Sequence, residues 1–277
     1  LILTVTTQLK EGMVSYVVCL ALESAYFANM PTERRHRGPH PDDPKLFAVE
    51  QEALLREALV DLAWLWSREY AHPSSTRLVG DRYQLTSRQR AAVGRSCCSD
   101  DALILRGKHR LPVKAIKGAE LVIDGFNVLV TLEVIFSRGV LLRGRDGCLR
   151  DMASMHGGYR LIGETLPAIG VMLHALMFWR PKSVQFLFDQ PVSNSGRLAS
   201  AIREAIVGFG LPEATWQVGV VPDPDVVLKE KTSSLVASAD SAILDSGNQW
   251  INLAEEILRW GLAREVFPHD PWLMDLG

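Results

Sequence analysis

Four apolar runs in this chain of 277 residues end in carboxylates. Leu121-Val122-Ile123 runs into Asp124, then Gly125, Phe126 and Asn127. Val184 to Phe188 ends in Asp189. Val220-Val221 is followed by Asp223 and Asp225, and Leu235 to Ala239 leads to Asp240. Any one of these acids alone reads as an ordinary turn or cap residue. Gathered at one place, they would repel one another and hold their protons more tightly. A hard divalent cation removes that cost, and an all-oxygen ligand set favours Mg²⁺ or Mn²⁺ over zinc. Such a site can activate water and stabilise charge on a phosphodiester in transfer. Asp124, Asp189, Asp225 and Asp240 are the candidate metal ligands and, with Asp151, the candidate catalytic acids.

For these acids to meet, the runs must be neighbouring strands of one sheet. Strands are expected at 120–124, 183–188, 215–221 and 234–238. Helices are expected at 127–136, 148–156, 161–178, 193–208, 224–230 and 254–263. This alternation predicts an α/β fold, a parallel sheet flanked by helices. Parallel sheets carry their chemistry in the crevice beyond the carboxyl ends of the strands, where all four runs place an acid. Gly125 lets the chain turn sharply after Asp124. Asn127 can cap the following helix and also face a ligand. Ser193-Asn194-Ser195-Gly196-Arg197 opens the helix after Asp189; free backbone amides there suit a phosphate, and Arg197 can pair with one. Ser193, Asn194, Ser195, Arg197 and Asn127 are therefore candidate substrate contacts, with a plain Ser/Asn helix cap as the alternative. His156, beside Gly157-Gly158, is either a general acid or a structural histidine.

The first half reads differently. Residues 1–119 hold 17 Lys/Arg against 13 Asp/Glu, whereas residues 120–277 hold 13 against 19. Prolines 39, 41 and 44 exclude a helix after Arg34-Arg35-His36-Arg37. Residues 47–70 show helical spacing of Phe47, Leu54, Leu55, Ala58, Leu59, Leu62, Leu65 and Trp66, which His72-Pro73-Ser74-Ser75 is expected to end. A second helix is expected from Thr86 or Ser87 to about Cys97. From Arg82 to Lys117 there are nine Lys/Arg and two Asp/Glu. Arg88, Arg90 and Arg95 from this stretch are expected to grip phosphates; the alternatives are a solvated face, or one docked on the acidic half.

Composition removes several classes. Hydrophobic residues make up 47% of the chain, enough for a substantial core and against global disorder. Cys19, Cys97, Cys98 and Cys148 form neither a CxxC pair nor a disulfide framework, so a reducing cytoplasm is the expected setting. Met13 to Leu22 is too short an apolar run to span a bilayer, and no membrane partner is expected. There is no Walker A loop and no G-x-S-x-G elbow, and Gly157-Gly158 does not follow a strand, which disfavours P-loop, serine-hydrolase and dinucleotide chemistry. The seven tryptophans are scattered on apolar faces and read as core.

Val122 to Asn127, Phe186-Leu187-Phe188-Asp189, Pro222 to Leu228 and Val236 to Ile243 resemble, in order, the four signature segments of the PIN/NYN-like nuclease superfamily. From about Arg34 onward the chain is also similar to a mainly archaeal, uncharacterised family in which a domain of unknown function 434 precedes a domain of unknown function 5616. That likeness rests on Arg37 to Pro41, Leu78 to Tyr83, Asp124 to Leu129, His156 to Arg160 and Pro191 to Arg197. The resemblance implies a PIN-like fold, a Mg²⁺ or Mn²⁺ site and RNA cleavage, with Asp124, Asp189, Asp225 and Asp240 at the acidic positions. Such nucleases usually carry a further acid after the first strand. Glu133, Asp146 and Asp151 compete for that place, with Asp151 preferred because it is expected at the start of the 148–156 helix.

The resulting expectation is an extension at 1–33, a small basic helical domain at 34–118 and a PIN-like α/β domain at 119–277. The function expected is divalent-metal-dependent hydrolysis of RNA. The alternatives are a non-catalytic RNA-binding or adaptor protein on the same fold, and a metal-dependent nucleotide phosphohydrolase. Convergence of the four strand-end acids is the geometric test.

Overall fold

The computed structural model describes residues 37–153 and 158–277. The expectations for residues 1–33 and for His156 lie outside the described residues.

Five helices come first: α1 (Asp43–Leu46), α2 (Val49–Trp66), α3 (His72–Arg82), α4 (Ser87–Ser96) and α5 (Asp100–His109). A single 3₁₀ turn, Val113–Ile116, leads into β1 (Glu120–Asp124) and α6 (Gly125–Phe136). The strands β2 (Val140–Arg143) and β3 (Leu149–Asp151) follow, then α7 (Thr165–Trp179), β4 (Ser183–Asp189), α8 (Ser195–Gly208), β5 (Trp216–Val221) and α9 (Pro224–Glu230). The chain continues through β6 (Leu235–Ala237), α10 (Ser241–Leu244), β7 (Trp250–Ile251), α11 (Leu253–Leu262) and β8 (Trp272–Asp275).

The main sheet is wholly parallel, in the order β5-β4-β1-β6-β7. The order reverses beside β1: successive strands add first on the β4 side and then on the β6 side. In open α/β sheets such a reversal opens a crevice at the carboxyl ends of the strands. Successive side chains point to opposite faces. Leu121 and Ile123 accordingly join the large core with α6, α7, α8 and α11, while Val122, Leu187 and Val236 pack against Leu228 of α9 and Ile243 of α10. The α6 helix is apolar on nearly every side and is buried almost throughout.

Three sequence expectations are corrected. Pro44 does not exclude a helix but sits in the first turn of α1, where it loses no intrahelical hydrogen bond. No helix forms over 148–156 among the described residues; β3 occupies 149–151 instead and pairs antiparallel with β2. Gly147, at φ +70, makes the tight turn that a hairpin needs and a helix does not. His72-Pro73 does not end α2, which stops at Trp66, but opens α3, where Pro73 sits in the first turn and loses no intrahelical hydrogen bond. The strands at β1, β4, β5 and β6 and the helices at α2, α4, α6, α7, α8, α9 and α11 lie where expected, within a few residues. A second sheet, β3-β2-β8, was not foreseen. Its Val140, Leu142 and Met274 share one core with Leu55, Leu59, Leu62, Val79 and Val93 of the leading helices. None of the described helices is long and apolar enough to cross a membrane.

Gly125 is fixed by close approach. A Cβ there would stand 2.7 Å from the Leu187 carbonyl oxygen and would overlap the Phe188 ring. Gly125→Ala is therefore expected to lower the unfolding free energy in urea by about 2 kcal/mol, the usual scale of overpacking, with the far-UV spectrum retained. A wild-type midpoint would show that this turn is not tightly packed.

Candidate functional site: an acidic edge at the strand reversal

Strand register decides which acids meet. Ile123 pairs with Phe186 on one side and with Ala237 on the other. Asp124 is therefore level with Leu187 and Ser238, while Asp189 lies two residues further out, about 7 Å along its strand, and Asp240 lies in the turn beyond the end of β6. By alternation, Asp124 and Asp189 face the same side as Val122 and Leu187, the side covered by α9 and α10. Asp225 sits in the first turn of α9, and Asp240 caps α10. The structure thus brings Asp124, Asp189, Asp225 and Asp240 to one edge and one face, and adds Asp223, the cap of α9.

Asp124 is the buried member. Burial pushes its carboxyl up to about 7; Ser238 and the Asn127 amide pull it down, and the charges of Asp240 and Asp225 raise it further. Asp189 is also raised, first by burial and then by Asp225 and Asp223. Asp225 is raised by burial, Asp240 and Asp223, with Lys229 opposing. This is the mutual repulsion expected of carboxylates gathered without a counter-ion. The stagger keeps them apart, however: among the described residues no three acidic, histidine or cysteine side chains are close enough to hold one ion.

Ser238, which the sequence reading did not single out, organises the edge. Its hydroxyl donates to Asp124 Oδ2 at 2.8 Å and accepts from the Asp240 amide at 3.0 Å. The available signal was its place level with Asp124 in the neighbouring strand. Asn127 accepts from the Ala239 amide at 2.9 Å through its side-chain oxygen, so it ties β1 to the loop after β6. Its side-chain amide nitrogen makes no hydrogen bond among the described residues.

The three rivals for the further acid all lie away from this face. Glu133 is buried on α6 among Arg37, Tyr159 and Thr165, with Tyr159 Oη at 2.5 Å. Asp151 is in a strand, not at a helix start; it accepts from Thr131 Oγ1 at 2.7 Å and from the Ala153 amide at 2.8 Å, and burial raises its carboxyl. Asp146 lies between two guanidinium groups. Burial would raise its carboxyl, but Arg150 and Arg106 hold it well below the usual range. That pairing has reach. Arg150 donates through Nε to the Ala239 carbonyl at 2.9 Å, and Arg106 binds Asp245 through Nε at 2.7 Å and Nη2 at 2.8 Å. The loop and helix carrying Asp240 are therefore clamped from both ends, one clamp coming from α5.

The candidate phosphate contacts divide. Asn194 is in the left-handed region at φ +65 and donates to the Tyr159 carbonyl at 2.7 Å, a structural task. Ser195 is buried, whereas Ser193 and Arg197 are exposed, and Arg197 forms no ion pair among the described residues. The basic helices are largely engaged. Arg88 binds the buried Asp43 through two nitrogens, Arg90 pairs with Asp81 at 2.9 Å, and Arg95 donates to the Asp151 carbonyl at 2.8 Å.

Truncating one partner of a buried ionic network leaves the other charges uncompensated, at a cost of about 3 to 5 kcal/mol. Arg150→Met is expected to cost that much in urea unfolding. Arg82→Gln, which breaks the exposed pair with Asp61 at 3.3 Å, should cost under about 1 kcal/mol. Equal effects of the two substitutions would contradict the clamp.

Comparison with known proteins follows the same division of the chain. Residues 54–108 match the family model of a protein of unknown function, DUF434, and residues 113–256 match that of a domain of unknown function, DUF5616. A protein of Methanocaldococcus jannaschii described as uncharacterised is 31% identical over 194 residues, covering 70% of this chain and 90% of that protein. No solved structure matches. The DUF5616 match spans more than half of the chain and follows the DUF434 match in order, so this protein belongs to the DUF5616 family, with a DUF434 region preceding it.

Proposed function

We propose that the acidic edge is a divalent-metal-dependent phosphodiesterase site acting on RNA, on a PIN-like sheet. The observation that carries this reading is Asp124: a carboxylate buried at the strand reversal, its proton affinity raised by burial and by Asp225 and Asp240. The resemblance of the four acid-bearing segments to PIN/NYN-like nucleases supports it. The donor set is all oxygen, which suits Mg²⁺ or Mn²⁺. A closed protein cage is not what these side chains offer. Mg²⁺ commonly takes one or two carboxylates directly and keeps several waters, and the staggered acids fit that arrangement. Asp124, Asp189, Asp225 and Asp240 are the side chains that would hold the ion, with Ser238 joining Asp124 to the backbone amide of Asp240. The bound cation would supply charge neutralisation and a more acidic water. The chain's own part is to hold Asp124 in place through Ser238, to keep the Asp240 loop fixed through Asn127 and Arg150, and to leave Arg197 facing solvent for a phosphate.

The absence, among the described residues, of a three-acid cluster favours a second reading: a non-catalytic RNA-binding or adaptor protein on the same sheet. Incubation of the full chain with single-stranded RNA and Mg²⁺ or Mn²⁺ separates the two. Cleavage is expected, and Asp240→Asn should slow it by about a hundredfold or more while leaving the fold intact, the scale of losing one electrostatic stabiliser. RNA binding without cleavage would establish the second reading. Hydrolysis of mononucleotides alone would point to a nucleotide phosphohydrolase.

The acid edge also sets a pH dependence. Asp124 holds its proton up to about pH 7 in the folded chain, against about 4 for an unfolded aspartate. Between those values the folded state binds more protons, so the metal-free stability should fall as pH rises through this window. The penalty is absent below the unfolded pKa and complete above the folded one. Urea unfolding at pH 5 and pH 8 should show a decline that Asp124→Asn largely removes. Parallel profiles for the two proteins would rule out a strained carboxylate at this position.

A further inference from the structure

A groove of about 760 Å³ lies away from the acidic edge, between α1, the first turns of α4 and the end of β3. Its volume is that of sites for nucleotide-sized ligands. Lys45, Ser87, Arg88 and Arg95 stand on its walls. The hydrogen-bonding inventory is lopsided. Lys45 and Ser87 are exposed, and their side chains make no hydrogen bond or ion pair among the described residues. Arg88 uses Nε and Nη2 on Asp43 and leaves Nη1; Arg95 uses Nη1 on the Asp151 carbonyl and leaves its other nitrogens. Asp43 and Asp151 therefore offset part of the charge of the two arginines, with Asp151 Oδ1 3.9 Å from Arg95. The carboxylate on the wall itself is Asp42, which stands 3.6 Å from His40 Nδ1. The amides of Ser87 and Arg88, first in their helix, have no intrahelical acceptor either.

The unused cationic donors of Lys45, Arg88 and Arg95 outnumber the one carboxylate on the wall, Asp42, which suits an anionic acceptor such as a phosphate. The floor is stiff: Gln89 is buried, closes the capping box with Thr86 and donates to the Leu46 carbonyl at 3.0 Å. The donors are therefore presented by a rigid frame, not by a loop. Leu46, Ala91 and Met152 supply the apolar part of the lining.

We propose that this groove binds a phosphate-bearing ligand of nucleotide size, with Lys45, Ser87 and Arg95 as its contacts. The phosphate can belong to a free nucleotide or to one nucleotide of an RNA strand. The inference is independent of the acidic edge, because it needs no metal and no cleavage.

The test is binding by the full chain in EDTA, using inorganic phosphate, AMP and a short fluorescent oligouridylate as probes. Lys45→Glu and Ser87→Ala remove groups that hold nothing in the fold, so both variants should keep the wild-type melting temperature. Lys45→Glu should weaken the bound probe by about tenfold or more, the scale of a charge-assisted hydrogen bond. Ser87→Ala should weaken it less, and Asp124→Asn should not change it. AMP and phosphate bound about as well as the oligonucleotide would assign the groove to a free nucleotide. An oligonucleotide bound far more tightly than AMP, with the same loss in Lys45→Glu, would assign it to a strand. The proposal is overturned if none of the probes binds, or if Lys117→Glu, a charge reversal on an exposed lysine outside the groove, weakens binding as much as Lys45→Glu. Loss of cleavage with intact groove binding would count against the acidic edge alone.

Discussion

A buried carboxylate among other carboxylates is an unfavourable thing to build, and Asp124 is the constraint around which this fold is arranged. Water would stabilise its charge; the α9 and α10 side of the sheet excludes that water. Two hydrogen bonds, from Ser238 and the Asn127 amide, stabilise the ionised form without fully offsetting burial. Strands with purely structural ends need no such acid. A chain that keeps one at the point where strand order reverses, with Asp225 and Asp240 in electrostatic reach, has placed latent charge where parallel sheets open to ligands. Active sites commonly carry perturbed acids of this kind.

Holding that acid requires the rest of the molecule. The Gly125 turn lets α6 start against Phe188, so the helix cap and the carboxylate are the same residue. Asn127 and Ser238 fix the neighbouring β6 loop to β1. From behind, Arg150 holds the Ala239 carbonyl and Arg106 holds Asp245, with Asp146 shared between them. Arg106 belongs to the helical region, and its backbone carbonyl also accepts from the Trp250 indole at 3.0 Å. The DUF434 region is thus built into the support of the acid-bearing loop and shares a core with the second sheet.

The parts legible in the sequence were those with a long local signal. Leu121 to Asp124 and Val184 to Asp189 are near-continuous apolar runs, and each gives a strand of the expected length. The 149–151 strand is three residues long, too short to show a period, so its last residue, Asp151, reads from sequence as a helix start. At His72-Pro73, proline marks either the end of one helix or the start of the next, and only packing decides. Charge pairing was the least legible. Arg106 and Asp245 are 139 residues apart, and Arg88 and Asp43 are 45 apart, so a stretch that looks like free positive charge is largely internal support. Ser238 was hidden because a serine two residues before an aspartate is unremarked until register sets it opposite Asp124.

The most direct measurement of the central claim is a ¹³C NMR titration of the Asp124 side-chain carboxyl in the metal-free protein and again with Mg²⁺. The account predicts a midpoint of about 7 without metal and a fall toward the ordinary carboxylate range, about 4, when Mg²⁺ is present. A midpoint already near 4 in the metal-free protein would contradict the strained acid. A midpoint near 7 that Mg²⁺ leaves unmoved would contradict its role in holding a cation.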